Sequence, residues 1–242
     1  MTDVRIISEP LGGSPLSRLL QSGGAPPAWA AEAPASATAW RELVTRRAGE
    51  RDWDEAWAAL SPALSATGVA AERLDRVRRT GGVVVTTGQQ PGLFGGPVYT
   101  WSKAVGALAL ADAIERATGV ATAAIFWAAT DDADFAEASY TVLAVPGGAE
   151  VLRSANAPVA GTPMTLARLG DLSNLVRRLR ASAGSAADPR PLDVIEHAYS
   201  DREGTVGDAY VRLLRGLLAP LGVPVLDASH AAVRAARSEG VV

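Results

Sequence analysis

A glycine-rich stretch, TGQQPGLFGGPVYTWSK, ends at Lys103, the only lysine among the 23 basic residues of the chain. Its glycines, which permit positive φ angles and close approach of a ligand to the backbone, are Gly88, Gly92, Gly95 and Gly96. A helical pattern begins at Pro97, a residue type suited to the first helical position. Because the first N–H groups of a helix and its positive dipole end attract anions, the stretch predicts a loop that binds phosphate or carboxylate.

Four side chains of this stretch could contact such an anion. Gln89 and Gln90 offer neutral donors and acceptors. Tyr99 and Lys103 are four residues apart, so a phenol and an ammonium share one helix face and could serve one pocket. We therefore take Lys103 as a candidate catalytic residue and the other three, with the glycines, as candidate binding residues. The alternative is a glycine-rich turn with a solvated lysine, since neither G-x-x-x-x-G-K-[ST] nor G-x-G-x-x-G fits here.

A second cluster, TDDADFAE, carries four carboxylates within a short span: Asp131, Asp132, Asp134 and Glu137. Like charges this close repel one another unless a cation, a hydroxylated ligand or a basic partner offsets them. The cluster could hold magnesium or sugar hydroxyls, or supply a general base. We take Asp132 and Asp134 as candidate catalytic residues and Asp131 as a candidate binding residue. The alternative is a solvated helix start, where acidic residues are favoured; an EF-hand pattern does not fit.

Both clusters follow β-branched or apolar runs that predict buried strands, at 82–87 and at about 121–129. The helical pattern between them runs to Ala117 and ends before Gly119. Strand, long helix and strand in succession make a βαβ unit with a parallel strand pair and a right-handed crossover. Since the loops after parallel strands emerge at one edge of the sheet, we expect the two clusters to form one pocket, with Lys103 facing the acidic residues.

The remaining patterns fit an α/β fold. Further helices are expected at 38–48, 53–66, 70–80, 171–182, 190–199, 205–219 and 230–237. Runs at 139–145 and 149–153 predict a hairpin, and 222–227 predicts a third strand of the sheet. We therefore predict a Rossmann-like parallel sheet with flanking helices.

Two segments are expected within this fold. Residues 1–80 form a helical lead-in packed on the core, whose first part, 1–37, is loop-rich with one helical turn at SRLLQ. Residues 81–242 form the Rossmann-like core, which looks truncated because the chain stops one element after the third strand. Trp53 and Trp57, four residues apart, are expected to pack in the core rather than to bind a ligand.

Composition argues against several functions. A net charge of −3 without a basic block is unlike a nucleic-acid-binding protein. The absence of cysteine removes disulfides, zinc–thiolate sites and a thiol nucleophile. Without a secretory signal at MTDVRIISEP or an apolar run of about 18 residues, we expect a cytoplasmic protein that enters no membrane. His197 and His230 lack metal-ligand spacing and are expected to be structural or surface residues, although His230 follows a strand end and could line the same cleft.

Taken together, the two clusters resemble those of the bacillithiol biosynthesis cysteine-adding enzyme family, the cysteine ligases. That family carries TGQQxGLFxGPxYTxxK followed by FWxAxEDHDFxE, where this chain has TGQQPGLFGGPVYTWSK and FWAATDDADFAE. PLSRLL and TVGDAYVRLLRGLLAPLGVPVLDAS resemble further family segments. By position, the resemblance covers Gly88, Gln89, Gln90, Gly92, Gly96, Tyr99 and Lys103 in the first motif and Phe126, Trp127, Asp132, Asp134, Phe135 and Glu137 in the second. Through it, Trp127 and Phe135 join the candidate binding residues.

The resemblance implies a Rossmann-like core and a reaction that joins cysteine to glucosaminyl-malate to give bacillithiol. Because amide formation needs an activated carboxyl, ATP with magnesium is the expected co-substrate. The resemblance also implies a homodimer in the full-length family, of which this chain would be the N-terminal half. One departure is Ala133, which stands where the family has histidine. Two alternatives stay open: a nucleotidyltransferase-like, nucleotide-binding enzyme and a non-catalytic ligand-binding remnant.

Overall fold

The computed structural model describes residues 13–24, 26, 34, 36–184 and 187–238. Its helices are α1 (Pro15–Gln21), α2 (Ala37–Arg47), α3 (Trp53–Leu64), α4 (Gly68–Thr80), α5 (Val98–Thr118), α6 (Phe135–Ala138), α7 (Ser173–Ala183), α8 (Pro189–Ala198), α9 (Val206–Leu218) and α10 (Ala231–Ser238). Its strands are β1 (Val83–Gln89), β2 (Thr122–Ala128), β3 (Tyr140–Val145), β4 (Gly148–Arg153) and β5 (Val225–Asp227). The chain separates into two compact units, Met1–Leu43 and Val44–Val242. Much of the predicted loop-rich lead-in lies outside the described residues.

The central sheet of the second unit contains β1, β2 and β5 in that order, and all are parallel. Its register pairs Gln89 with Ala128, and Ala128 with Asp227, so the three strands end level with one another. This sheet and its flanking helices confirm the predicted α/β, Rossmann-like fold. Because the strands are parallel, the loops that follow β1 and β2 emerge at the same edge.

The helices that position the site pack against both faces of the sheet through apolar side chains. On one face α5 presents Ala104, Ala107 and Ala111, whose small side chains let the helix approach the strands closely, and α9 packs beside it. On the other face α3, α4 and α10 pack around Leu226 and other buried residues. Trp53 packs against this second cluster together with Trp57, as predicted.

The hairpin predicted from 139–145 and 149–153 is present as the antiparallel pair β3–β4. One of its faces is covered: Leu152 is fully buried in a third apolar cluster that includes residues of α7, α8 and α9. On the other face the cross-strand neighbours Val142 and Val151 are about half exposed. The hairpin therefore has one face in the core and one apolar face in solvent.

Several element boundaries differ from the sequence prediction. The strand β1 continues to Gln89 instead of ending at 87, so Gly88 and Gln89 belong to the strand and not to the loop after it, and α3 ends at Leu64 instead of 66. The third strand begins at Val225 rather than at 222, because Gly222 adopts φ 83° at the end of a 3₁₀ turn and Pro224 has no N–H to donate. Pro97 precedes α5 as its N-cap, with extended ψ 158°, instead of occupying the first helical position. The predicted division of the chain into segments 1–80 and 81–242 stays a prediction. In the structure, α3 and α4 lie in the same compact unit as the sheet. Within the described ranges, no helix is both long and apolar enough to span a membrane.

Candidate functional site

The glycine-rich loop after β1 is built on left-handed backbone conformations. Phe94, Gly95 and Gly96 have φ angles of 54°, 100° and 72°, values that side-chain-bearing residues rarely adopt. A Cβ on Gly95 would lie 2.3 Å from the indole of Trp101, so only glycine lets this side chain of α5 pack on the loop. The sequence therefore fixes the loop against the start of the helix that it precedes.

A distant side chain, Tyr199 at the end of α8, holds the same loop in place. Its buried hydroxyl accepts a hydrogen bond from the Phe94 N–H (3.0 Å) and donates one to the Gly92 carbonyl (3.3 Å). Its ring also meets that of Phe94 edge to face, with centroids 5.0 Å apart. Burial raises the pKa of the Tyr199 phenol well above its ordinary value, so the hydroxyl remains a donor. Sequence reasoning missed this residue, because nothing in the local pattern connects it to the loop.

Replacing Tyr199 with phenylalanine is expected to lower the free energy of unfolding by about 1–3 kcal/mol, because it leaves the buried Phe94 N–H without a partner. Urea unfolding followed by circular dichroism measures this change. The matched control is Tyr140→Phe: that ring is more than a third exposed, so a change within about 0.5 kcal/mol is expected. Equal effects of the two substitutions would contradict the anchoring role of Tyr199.

Lys103 and the two glutamines form a chain of hydrogen bonds that joins the two loops. The Lys103 ammonium donates to the Gln89 side-chain oxygen (2.8 Å) and lies 3.5 Å from the Gly88 carbonyl oxygen. The Gln89 amide nitrogen donates to Gln90 Oε1 (2.9 Å), and Gln90 Nε2 donates to the Glu137 carboxylate. An ammonium accepts no hydrogen bond and a carboxylate donates none, so the charged ends fix the orientation of both amides. We call this series the Lys103–Glu137 chain.

The acidic loop is held largely by its own backbone. The Asp132 carboxylate accepts a hydrogen bond from the Asp134 N–H (2.7 Å), and the Asp134 carboxylate accepts one from the Glu137 N–H (3.1 Å) as the cap of α6. Asp131 lies 4.0 Å from the guanidinium of Arg237. These partners offset the mutual repulsion of the carboxylates and make the segment a helix start, as the alternative interpretation expected.

The structure brings some of the candidate residues together and leaves others apart. Gly88, Gln89, Gln90, Tyr99 and Lys103 lie around the Lys103–Glu137 chain. In the described part of the chain no ion pair joins Lys103 directly to an acidic side chain, and no three His, Cys, Asp or Glu residues are grouped to hold a metal. Trp127 and Phe135 pack against apolar clusters. The catalytic and binding roles of all these residues stay predictions.

The end of β5 contributes residues that the sequence did not single out. The Asp227 carboxylate accepts hydrogen bonds from the Thr130 hydroxyl and from the Ser229 N–H (3.1 Å). Thr130 and Ser229 are buried, and the Ser229 hydroxyl has no partner among the described residues. Thr130 and Ser229 follow the ends of parallel strands, and this position is the feature of the sequence that could have identified them. The His230 ring accepts a hydrogen bond from the Ala232 N–H (3.2 Å) at the start of α10, so it has the structural role that was expected of it.

A cleft of about 410 Å³ opens between the start of α5 and β3. Its walls include Gly96, Val98, Tyr99, Glu137, Tyr140 and Val142. The Tyr99 ring centroid lies 5.1 Å from the Lys103 ammonium, so the predicted pairing of phenol and ammonium on one helix face is present. Glu137, one charged end of the Lys103–Glu137 chain, therefore lines the cleft, and the other end, Lys103, contacts the ring of a lining residue, Tyr99.

This arrangement, a glycine loop and an acidic loop side by side at the end of a parallel sheet, occurs within a region that matches a known family. The family model described as Bacillithiol biosynthesis BshC, N-terminal Rossmann-like domain, matches residues 36–241. The chain belongs to this family. The resemblance that the two motifs suggested is confirmed, and so is the Rossmann-like core that it implied.

Curated relatives carry the name "Putative cysteine ligase BshC". The relative from Solibacter usitatus is 36% identical over 176 residues, which cover 70% of this chain and 32% of the relative. The relative from Koribacter versatilis is 34% identical over 172 residues, covering 69% and 31%. The relative from Heliobacterium modesticaldum is 43% identical over 74 residues, covering 31% and 14%. The chain thus spans about a third of the length of the first two BshC relatives that it matches.

Proposed function

We propose that this chain supplies the Rossmann-like substrate site of a cysteine ligase that joins cysteine to glucosaminyl-malate in bacillithiol biosynthesis. The observation that carries the proposal is the Lys103–Glu137 chain, which connects the two family motifs at the carboxyl edge of the sheet. The name that curated relatives carry, "Putative cysteine ligase BshC", supports the reaction class. The level strand ends give the two loops a common edge.

The chemistry assigns separate tasks to the two loops. Amide formation from a carboxylate and an amine expels one carboxylate oxygen, so that oxygen must first be converted into part of a good leaving group. The carboxylate oxygen takes a phosphoryl group from ATP with release of ADP, or an adenylyl group with release of pyrophosphate. The amine then attacks the acyl carbon, loses a proton, and displaces phosphate or AMP. In this proposal Lys103 and the free amides at the start of α5 offset the charge of the phosphates, while Asp132 and Asp134 orient the amine, a hydroxyl or a metal.

Magnesium fits this site as a companion of ATP rather than as a resident ion. Magnesium is commonly held by one or two carboxylates together with substrate phosphates. Across the described residues no group of three potential ligands is poised to hold a metal without a substrate. We therefore expect Asp132 or Asp134 to supplement phosphate oxygens, and magnesium binding to depend on ATP.

Thiol analysis by mass spectrometry in a strain deleted for the gene tests the proposal. Loss of bacillithiol with accumulation of glucosaminyl-malate is expected. Unchanged bacillithiol without such accumulation would contradict it. Titration of the purified chain with each ligand tests binding apart from turnover. We expect the chain to bind both ATP and glucosaminyl-malate. Binding of glucosaminyl-malate but not of ATP would favour a non-catalytic role, the alternative suggested by Ala133 in place of the family's histidine.

A further inference from the structure

The acidic loop starts at a residue that is held from two sides. Thr130 lies between β2 and Asp131, and only 1% of it is exposed. Its hydroxyl donates a hydrogen bond to the carboxylate of Asp227, the last residue of β5. Its carbonyl oxygen accepts a hydrogen bond from the Thr165 N–H (3.0 Å). The place where the loop leaves the sheet is therefore set by contacts with parts of the chain that are distant in sequence.

Asp227 is itself fixed by the sheet. Its backbone pairs with Ala128 in the β2–β5 register, and the Ala228 N–H donates to the Ala128 carbonyl oxygen (3.0 Å). The carboxylate oxygen that accepts from the Thr130 hydroxyl also accepts from the Ser229 N–H (3.1 Å). Because a hydrogen bond to an ionised acceptor is about twice as strong as a neutral one, the Asp227 carboxylate holds the Thr130 hydroxyl firmly.

The acidic loop combines bonds that set its shape with bonds that set its place on the sheet. The Asp132 carboxylate accepts a hydrogen bond from the Asp134 N–H (2.7 Å), and this contact stays within the loop. The Asp132 carbonyl oxygen accepts one from the Met164 N–H (2.8 Å), directly beside the bond between Thr165 and Thr130. A displacement of Thr130 would therefore disturb both bonds to this segment and move the carboxylates that follow.

We propose that Asp227 is a positioning residue, which acts through Thr130 to place the carboxylates of Asp132 and Asp134 for the magnesium ion of bound ATP. The identity of the ligand rests on the proposed function, whereas the hold of Asp227 on the loop rests on the hydrogen bonds themselves. Each loop of the site then has its own anchor from elsewhere in the fold. Tyr199 holds the glycine-rich loop, and Asp227 holds the acidic loop.

Amide hydrogen exchange tests the hold on the loop. Thr130→Val keeps the shape of the side chain but removes the hydroxyl that binds Asp227. We expect exchange of the Met164 and Thr165 amides to become at least about tenfold faster, because a hydrogen bond to a charged group is lost and the segment opens locally more often. The Phe94 amide, which donates to Tyr199 in the other loop, should change less than about twofold.

Two matched variants separate positioning from a general loss of stability. Thr130→Ser keeps the hydroxyl and should keep the exchange of the Met164 and Thr165 amides slow. Thr122→Val makes the same change at the other end of β2, where a buried hydroxyl donates to the Val120 carbonyl oxygen (2.9 Å), and should leave the two amides unchanged. Equal acceleration of the amides in both loops by Thr130→Val, or acceleration in neither loop, would overturn the proposal.

Titration with ATP, in magnesium and in EDTA, tests the link to the ligand. Asp227→Asn keeps the shape of the acceptor and removes its charge, which weakens the bond to Thr130. Affinity for ATP in magnesium should fall about fivefold to tenfold. Affinity in EDTA, which depends on Lys103 in the proposed function, should stay within about twofold. Equal losses in the two conditions, or no loss in either, would contradict a positioning role.

The double variant Asp227→Asn, Thr130→Val gives an independent check. Because both changes affect one hydrogen bond, their effects should not add. The double variant should bind ATP in magnesium no more weakly than the weaker of the two single variants. Additive losses would show that Asp227 acts by a route other than Thr130.

Failure of this inference is distinguishable from failure of the proposed function. If the chain binds no ATP while Thr130→Val accelerates only the Met164 and Thr165 amides, the proposed function is wrong and Asp227 still positions the loop. If Asp227→Asn binds ATP in magnesium as tightly as the unaltered chain, the positioning role is wrong and the proposed function stands.

Discussion

Replacing Lys103 with methionine is expected to weaken ATP binding by about tenfold to a hundredfold. A hydrogen bond to a charged group contributes about 1.5–3 kcal/mol, and each 1.4 kcal/mol is about tenfold in affinity. The substitution also removes the donor that orients the Gln89 amide at 2.8 Å. Calorimetric titration of the 242-residue chain with ATP measures the effect at fixed ionic strength, because salt screens charge interactions.

Two further variants separate a specific contact from a general charge effect. Lys103→Arg keeps the charge but replaces a point-like ammonium by a planar guanidinium, so an intermediate affinity is expected. Arg116→Met removes one positive charge from the last turn of the same helix, and ATP affinity should change by less than about twofold, since a solvent-exposed charge there is screened from the site. Equal losses for Lys103→Met and Arg116→Met would contradict a direct role for the lysine.

Replacing Gly88 with alanine is expected to destabilise the fold by about 3 kcal/mol or more, a large share of the stability of a typical domain. A Cβ at this position would lie 2.5 Å from the Trp127 carbonyl oxygen and 2.9 Å from the Trp127 Cβ. These two residues are paired in the β1–β2 register, so the strands must separate where the site begins. Urea unfolding measures the loss of stability.

The matched control for this substitution lies on α5. A Cβ on Gly106 would have no heavy atom within 4 Å, and the residue is exposed in the helix interior. Gly106→Ala should therefore stabilise the chain by up to about 1 kcal/mol, the difference in helix propensity between the two residues. Gly88→Ala with unchanged stability would show that the strands can accommodate a side chain beside the site.

The parts of the fold that depend on local pattern could be predicted from the sequence. The β-branched run before Gly88, the helix ended by Gly119 and the apolar run of β2 each have a local physical cause, and together they dictate a parallel pair with both loops at one edge. The start of the third strand was predicted too early. The valines at 223 and 225 suggested a strand from 222, but Pro224 cannot donate a hydrogen bond to the neighbouring strand, and β5 begins at Val225.

The contacts within the site could not be predicted in the same way. The Tyr199 hydroxyl meets Gly92 across 107 positions of sequence, and the Thr130 hydroxyl meets Asp227 across 97. Such pairs depend on how helices and strands pack, which local spacing does not encode. The sequence suggested that Lys103 faces the carboxylates, whereas two glutamine amides carry the connection to Glu137. The direction of the hydrogen bonds of Gln89 and Gln90 depends on Lys103 at one end and Glu137 at the other, and the sequence alone does not show that these charged groups lie at the two ends.

The central claim is that the two family motifs form one substrate site around Lys103, and the reactivity of this lysine tests it most directly. Because the chain has one lysine, an amine-directed reagent modifies a single side chain, and the α-amino group serves as an internal reference. Peptide mass spectrometry then gives the labelling rate of Lys103 with and without ATP, cysteine and glucosaminyl-malate. We predict that the substrates slow labelling of Lys103 at least about tenfold, consistent with burial of a charged contact, and leave the α-amino group unaffected. An unchanged Lys103 rate at millimolar concentrations of all three substrates would contradict a shared site.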